Sequence, residues 1–264
     1  MVAKVYTIAS GKGGTGKTTT TVNMGTALAL LGKKTVMIDA DIGMANLGLL
    51  LGLEKSPVTL HEVLNGKADV QEAVYEGPGG VYVVPCGISL QGFQNSDPEK
   101  LQEVMSALVE DMDFILIDAP AGISKDGVIP LAIADKVYLV VNPELSSMSD
   151  ALKTKVLTEM LGGEIGGAIL NRAGIERTDI NRQKVADLLN IDVIEMIPED
   201  SNVRRSAAFK TPIVIKNPNS PAAVAFKRLA AHISGTDFVE PVECEVKRKE
   251  AFVGRLARVL FGGK

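Results

Sequence analysis

The sequence predicts an α/β fold, a three-layer sandwich in which a mostly parallel, twisted β-sheet is flanked by helices on both faces. Short β-branched runs alternate with helix-length stretches along most of the 264 residues. The runs are continuously apolar rather than alternating, as strands buried on both faces must be. The composition is 46% hydrophobic and 23% charged with no Trp. That builds a core from Val, Ile, Leu, Ala and Met, of a size suited to one large domain.

In order, strands are expected at 3–9, 34–38, 81–84, 113–117, 136–141, 165–170 and 192–196. Each is a short apolar run bounded by polar or turn residues. Helices are expected at 17–31, 98–110, 146–161, 179–190, 200–209 and 220–233. Gly32 suits the end of the first, and Asp97-Pro98 supplies a cap and a first-turn proline for the second. Residues 1–234 read as one domain, 235–246 as a linker of turn-rich composition, and 247–264 as a separate basic segment.

Net charge is −4, which argues against a surface coated in nucleic acid. The charge is uneven. From Glu245 onward six Lys or Arg face two Glu, a local +4 that leaves −8 on the remainder. Cys86 and Cys244 form no C-x-x-C, so neither a disulfide framework nor a zinc site is expected. The chain opens without a secretory pattern and has no run of eighteen apolar residues, so a cytoplasmic location is expected. The two histidines, His61 and His232, read as helix-surface or satisfied residues, and no Ser-His-Asp arrangement is suggested.

Gly11-Lys12-Gly13-Gly14-Thr15-Gly16-Lys17-Thr18 follows the first strand and opens the first helix. This is the phosphate-loop pattern in the context that it requires, which makes the domain a P-loop NTPase. Its glycines let main-chain N–H groups converge on phosphate oxygens at a helix N-terminus. Lys17 is placed to neutralise the β- and γ-phosphates, the Thr18 hydroxyl to ligate Mg²⁺, and Thr19 to bond the α-phosphate. Asp39 and Asp41 follow the second strand, where side chains face such a site. Asp41 is the candidate for positioning or deprotonating the attacking water and for the metal shell; Asp39 could support Mg²⁺ or the loop. Four apolar residues and Asp118 give a second carboxylate for the Mg²⁺ shell, with Gly122 freeing the loop that follows. The catalytic candidates are Lys12, Lys17, Asp41 and Asp118.

Lys12 has no necessary role in cradling one nucleotide. The K-G-G-x-G-K-[ST] form resembles the deviant Walker A ATPases, which include MinD and ParA. The resemblance implies that Lys12 crosses a nucleotide-sandwich homodimer to touch the partner's phosphates, like an arginine finger. Ile42-Gly43-Met44-Ala45-Asn46-Leu47 resembles the switch I loop of the MinD branch. N-K-x-D, the guanine signature, is nowhere in the chain. Asn171-Arg172 and Ile197-Pro198-Glu199-Asp200 match where the family contacts adenine, so the resemblance implies ATP, with Asn171, Arg172, Pro198 and Glu199 about the base.

At 3.6 residues per turn, Phe252, Val253, Leu256, Val259 and Leu260 share one face, flanked by Arg255 and Arg258, after Lys247-Arg248-Lys249. Residues 247–264 are therefore expected to form a basic amphipathic helix suited to an anionic membrane surface. Phe252-Val253-Gly254-Arg255-Leu256 and the ending Leu260-Phe261-Gly262-Gly263-Lys264 resemble the membrane-targeting helix of MinD cell-division ATPases. The implied activity is ATP hydrolysis by a dimer that cycles on the membrane's inner face, positions the division site and recruits cell-division regulators. A ParA-like partition or cargo-positioning ATPase that binds nucleic acid is the alternative; the amphipathic tail and acidic body oppose it. An iron–sulfur carrier would need paired cysteines, and a small-molecule P-loop kinase leaves Lys12 unexplained.

Overall fold

The computed structural model describes residues 2–87, 100–122, 125–174 and 180–239. Strands β1 (Lys4–Ala9), β2 (Thr35–Asp39), β3 (Tyr75–Glu76), β4 (Tyr82–Val84), β5 (Phe114–Asp118), β6 (Lys136–Val141), β7 (Ile165–Ala173) and β8 (Val193–Pro198) form a single sheet. Its order is β3-β4-β2-β5-β1-β6-β7-β8. Every pairing is parallel except that of β3 with β4. The helices are α1 (Lys17–Leu30), α2 (Leu47–Leu51), α3 (Leu60–Leu64), α4 (Leu101–Leu108), α5 (Lys125–Ile133), α6 (Leu145–Met160), α7 (Arg182–Leu189), α8 (Ser201–Ala208), α9 (Ile213–Lys216) and α10 (Pro221–Ser234).

The predicted α/β sandwich is observed. All seven expected strands are present, and β3 is additional, too short at two residues to show a periodicity. Helix α5 is also additional: Pro130 inside it breaks the sequence signal, while the Pro130 carbonyl accepts a 2.6 Å bond from the Thr7 hydroxyl. Helices α2, α3 and α9 are one-turn elements that pattern reading does not resolve. Strand β7 runs three residues past the expected end, so Asn171 and Arg172 lie within it. There the β7–β8 register shifts between Leu170 and Ala173, and Arg172 adopts φ 54°. This is a bulge that re-aims the chain. Asp97 and Pro98, expected to open the second helix, lie outside the described residues, as do Cys244 and the basic segment 247–264.

Alternation along the central strands explains why the sheet is buried on both faces. Met37 of β2 and Leu116 of β5 pack with Met24 and Leu28 of α1 and Phe226 of α10. Their neighbours Val36, Ile38, Ile115 and Ile117 face the other way, against Leu60, Leu64, Leu101 and Val104. Close approach of α1 to β2 depends on Gly25, where an added Cβ would sit 2.5 Å from Met37 Sδ. Helix α10 follows its capping chemistry: the Ser220 hydroxyl accepts from Ala223 N–H, Pro221 opens the first turn, and Gly235 closes the helix at φ 70°. The carboxyl ends of β1, β2 and β5 therefore converge at the centre of the sheet, where such folds place their ligands.

Candidate functional site

The loop from Ser10 to Gly16 joins β1 to α1. Gly16 at φ 92° is the cap residue of α1, and Gly14 lies at φ 80°. A Cβ at Gly13 or Gly14 would meet nothing within 4 Å, so both leave open space over the loop. Gly11 is glycine for a different reason. A Cβ there would lie 2.2 Å from the Asp150 carbonyl carbon, so the loop is packed tightly on α6. The Thr15 hydroxyl is buried without a partner.

Asp118, the last residue of β5, gathers the first turn of α1. Lys17 Nζ lies 2.9 Å from Oδ1, Thr21 Oγ1 donates to Oδ1 at 3.0 Å, and Thr18 Oγ1 donates to Oδ2 at 2.7 Å. Thr18 and Thr21 share a helix face by their spacing of three, so Thr21, which sequence reading passed over, carried a usable signal. Thr19 is half-buried, and its carbonyl accepts from Asn23 Nδ2 at 2.8 Å.

Asp39 pairs with Asp118 in register across β2 and β5 and is fully buried. Burial first, then the charge of Asp118, pushes its carboxyl up to about 8. Its oxygens accept from the N–H groups of Asp41 (3.2 Å), Asn46 (3.1 Å) and Leu47 (3.0 Å). Asp39 is thus a support of the 40–47 loop. Asp41 is half-buried on that loop, with Oδ1 accepting from Met44 N–H at 3.1 Å. The Ala40 N–H donates to the Asp118 carbonyl at 3.0 Å, tying this loop to β5. Beyond β5, Gly122 at φ 78° donates its N–H to the Ser10 carbonyl at 3.1 Å. The loops after β2 and β5 are therefore tied, respectively, to Asp118 and to the phosphate loop.

Lys12 points away from this cluster. Its Nζ lies 3.0 Å from Glu144 Oε2 and 3.0 Å from Ser146 Oγ, with a third of the side chain exposed. Hydrogen bonding to Lys12, ahead of its charge, holds the Glu144 carboxyl below its ordinary range. Glu144 and Ser146 follow β6 and were not singled out from sequence, although the carboxyl end of a parallel strand beside β1 points to them.

Asn171, Arg172, Pro198 and Glu199 are brought together at the ends of β7 and β8. Glu199 N–H donates to the Ala173 carbonyl at 3.1 Å, and the Arg172 and Glu199 side chains approach to 3.8 Å. Asn171 Nδ2 donates to the Thr15 carbonyl at 2.6 Å and would lie 2.2 Å from a Cβ on Gly16. The amide nitrogen expected at the base edge is committed to the phosphate loop. Of the two settings expected for His61, the helix surface is excluded: it is 1% exposed, with Nε2 3.3 Å from the Ile42 carbonyl oxygen and Nδ1 without a partner.

Residues 6–213 match the profile of the CobQ/CobB/MinD/ParA nucleotide binding domain. The septum site-determining protein MinD of Synechocystis is 34% identical over 272 residues, covering 98% of this chain and 99% of that protein. The chain belongs to this family, in its MinD branch. An uncharacterized ATP-binding protein of Methanocaldococcus jannaschii is 48% identical over 99% of this chain and 98% of its own length. Among solved structures, the Pyrococcus furiosus cell division ATPase MinD superposes with a TM-score of 0.85 at 39% identity, covering 88% of this chain and 99% of that one. Pyrococcus horikoshii MinD complexed with Mg-ADP gives 0.84 at 38% identity, over 88% and 96%. The Aquifex aeolicus MinC:MinD complex gives 0.81 at 34% identity, over 90% and 98%.

MinD/ParA proteins are ATPases, and the residues of this MinD-branch chain fit ATP with Mg²⁺. The unpartnered Thr15 hydroxyl, the open side of Gly13 and Gly14, and the buried Lys17 ammonium form a cradle for an oxyanion. The Thr18 hydroxyl and Asp118 carboxylate are hard oxygen donors of the kind that Mg²⁺ takes alongside phosphate and water. Among the described residues no three His, Cys, Asp or Glu side chains group to hold a metal, and Mg²⁺ on a triphosphate does not require such a group. No helix among the described residues is long and apolar enough to cross a membrane.

Proposed function

We propose that the chain is an ATP-dependent, dimerising ATPase of the MinD type that hydrolyses ATP to ADP and phosphate to attach to and leave the membrane, and so positions the cell-division site. The observation that carries this reading is Lys12. The cluster around Asp118 is complete without it, and Lys12 is held at the surface by Glu144 and Ser146, where a second subunit can take it.

In this reading Lys17 and the amides of Gly13 to Thr18 bind the β- and γ-phosphates. The Thr18 hydroxyl and Asp118 would hold Mg²⁺, which would supply charge to offset that building on the phosphoryl oxygens. Lys17 leaves Asp118 for the phosphates. Asp41 orients the attacking water and takes its proton, and Lys12 of the partner subunit neutralises the leaving oxygens. Arg172, Pro198 and Glu199 border the adenine, and Asn171 braces the loop beside it.

The membrane arm is the basic amphipathic segment 247–264. One such segment binds marginally: ordering each residue costs about 1–2 kcal/mol, against roughly 1.5–3 kcal/mol for each large apolar side chain if fully buried and about 1 kcal/mol for each basic residue near an anionic leaflet. Two on one dimer gain avidity of roughly 10²–10⁴. Dimerisation would then switch attachment on, and hydrolysis would release it. The MinC:MinD assembly from Aquifex aeolicus supports a division regulator as partner.

The test is co-sedimentation with anionic vesicles in ADP, ATP and a non-hydrolysable analogue, for the full chain and for a deletion of 247–264. Binding in ATP and in the analogue, weak binding in ADP, and none for the deletion are expected. Equal binding in ADP and ATP would sink the switching reading.

A further inference from the structure

We propose that His61 is a positioning residue for hydrolysis: its Nε2–H holds the Ile42 carbonyl and fixes the stretch of backbone that carries Asp41. The proposal rests on the water-positioning role given to Asp41 above.

His61 stands on α3, whose start is fixed by a capping box in which Glu62 Oε2 accepts from Thr59 N–H at 2.9 Å. From this short platform the ring reaches the 40–47 loop, with Nε2 3.3 Å from the Ile42 carbonyl oxygen. A carbonyl only accepts, so Nε2 bears the hydrogen. The ring is wedged on its other side, where a Cβ on Gly87 would come within 2.6 Å of Nδ1. Asp41 and Ile42 are therefore gripped from two directions. Asp39 Oδ1 accepts the Asp41 N–H at 3.2 Å, and His61 donates to the Ile42 carbonyl.

Packing alone does not select imidazole at this position. Nδ1 is buried with no hydrogen-bond partner, an arrangement that is unfavourable and uncommon in folded proteins. Leucine would fill a similar volume without it. What leucine cannot supply is the donor to Ile42. An imidazole with one nitrogen unsatisfied is explained by the work of the other nitrogen, and that nitrogen touches the residue next to Asp41.

The experiment uses the full chain and three variants: His61→Leu, His61→Gln and Asp41→Ala. Steady-state turnover, ATP affinity and hydrogen exchange at residues 42–46 are measured for each. His61→Leu should lower kcat by roughly threefold to tenfold, the factor that one ordinary hydrogen bond represents. Its ATP affinity should stay within about twofold of the unmodified chain, because the phosphate loop keeps its own contacts. Exchange at 42–46 should rise. Gln places an amide nitrogen near the Nε2 position, so His61→Gln should restore both kcat and protection; His61→Met serves as the apolar variant if leucine does not fold. Unchanged kcat in the apolar variant, or no recovery with Gln, overturns the proposal. Normal turnover in Asp41→Ala instead removes the role given to Asp41, whatever the His61 variants do.

Discussion

Lys17 Nζ lies 2.9 Å from Asp118 Oδ1, with the two side chains only 7% and 1% exposed. This buried pair joins the first residue of α1 to the last of β5. Two hydroxyls, from Thr18 and Thr21, complete the carboxylate's shell. In the proposed mechanism, the lysine that would bind a triphosphate is thus stored on the carboxylate that would hold Mg²⁺.

Lys17→Ala should therefore act twice. It removes the counter-charge of a buried Asp118, a change that costs about 3–5 kcal/mol where nothing compensates. The two threonine hydroxyls reduce this, so a loss of about 1–3 kcal/mol in urea unfolding without nucleotide is expected. ATP affinity should fall by at least about 100-fold, the weight of a charge-assisted contact in a dry site. Wild-type affinity in a fluorescent-nucleotide titration would exclude the phosphate-loop assignment.

Gly16→Ala tests the brace between Asn171 and the loop. The substitution meets Asn171 Nδ2 at 2.2 Å and forces a side chain onto φ 92°. Strain of about 1–3 kcal/mol follows from the backbone alone. Asn171→Ala removes the clash and the 2.6 Å bond to Thr15 together. The double variant should therefore be more stable than Gly16→Ala alone, by thermal unfolding. Additive losses would mean that the two residues do not press on each other.

Asp39 makes stability depend on pH. Its folded carboxyl is pushed up to about 8 by burial and by Asp118, against 3.8 for the free group. Between those values the folded chain keeps a proton that the unfolded chain releases, so stability falls as pH rises. The favourable contribution is fully present below 3.8 and is lost as pH climbs through about 8. Asp39→Asn should flatten this part of a denaturation profile taken without nucleotide. A profile equally steep in the variant would assign the slope to another group.

Much of this was legible in the residues, and the remainder has physical reasons for being hidden. The apolar runs gave the central strands because each is buried on both faces, and the loop glycines gave the cradle because main-chain geometry demands them. Helix α5 was hidden by Pro130, and α2, α3 and α9 by their length. Asp39 and Asp41 could be named as a pair. Asp39 reads from sequence as a support of Mg²⁺ or of the loop, and only its three N–H donors show that it holds the loop. The partners of Lys12 lie more than 130 residues away in sequence, and no local pattern carries such contacts. Between a helix-surface and a satisfied histidine the sequence does not decide for His61, because an isolated histidine has no period to betray its burial.

Lys12 and Glu144 give the last prediction. Their pair is exposed, at 33% and 58% of the side chains, so it is worth no more than about 1 kcal/mol. A contact that weak can hold Lys12 in the single subunit and still yield to a partner's phosphates. Glu144→Gln should release the lysine and strengthen ATP-dependent dimerisation by about twofold to fivefold, within the range of that pair. Lys12→Ala should leave ATP binding by the single subunit within about threefold, since the cluster around Asp118 is intact. It should abolish dimerisation in a non-hydrolysable analogue and lower turnover at least about 100-fold, as loss of a trans-acting cation does in phosphoryl transfer. Analytical ultracentrifugation with the analogue reads both variants. A Lys12→Ala chain that still dimerises tightly and turns over normally would leave Lys12 a surface residue, and the paired-subunit mechanism would lose its basis.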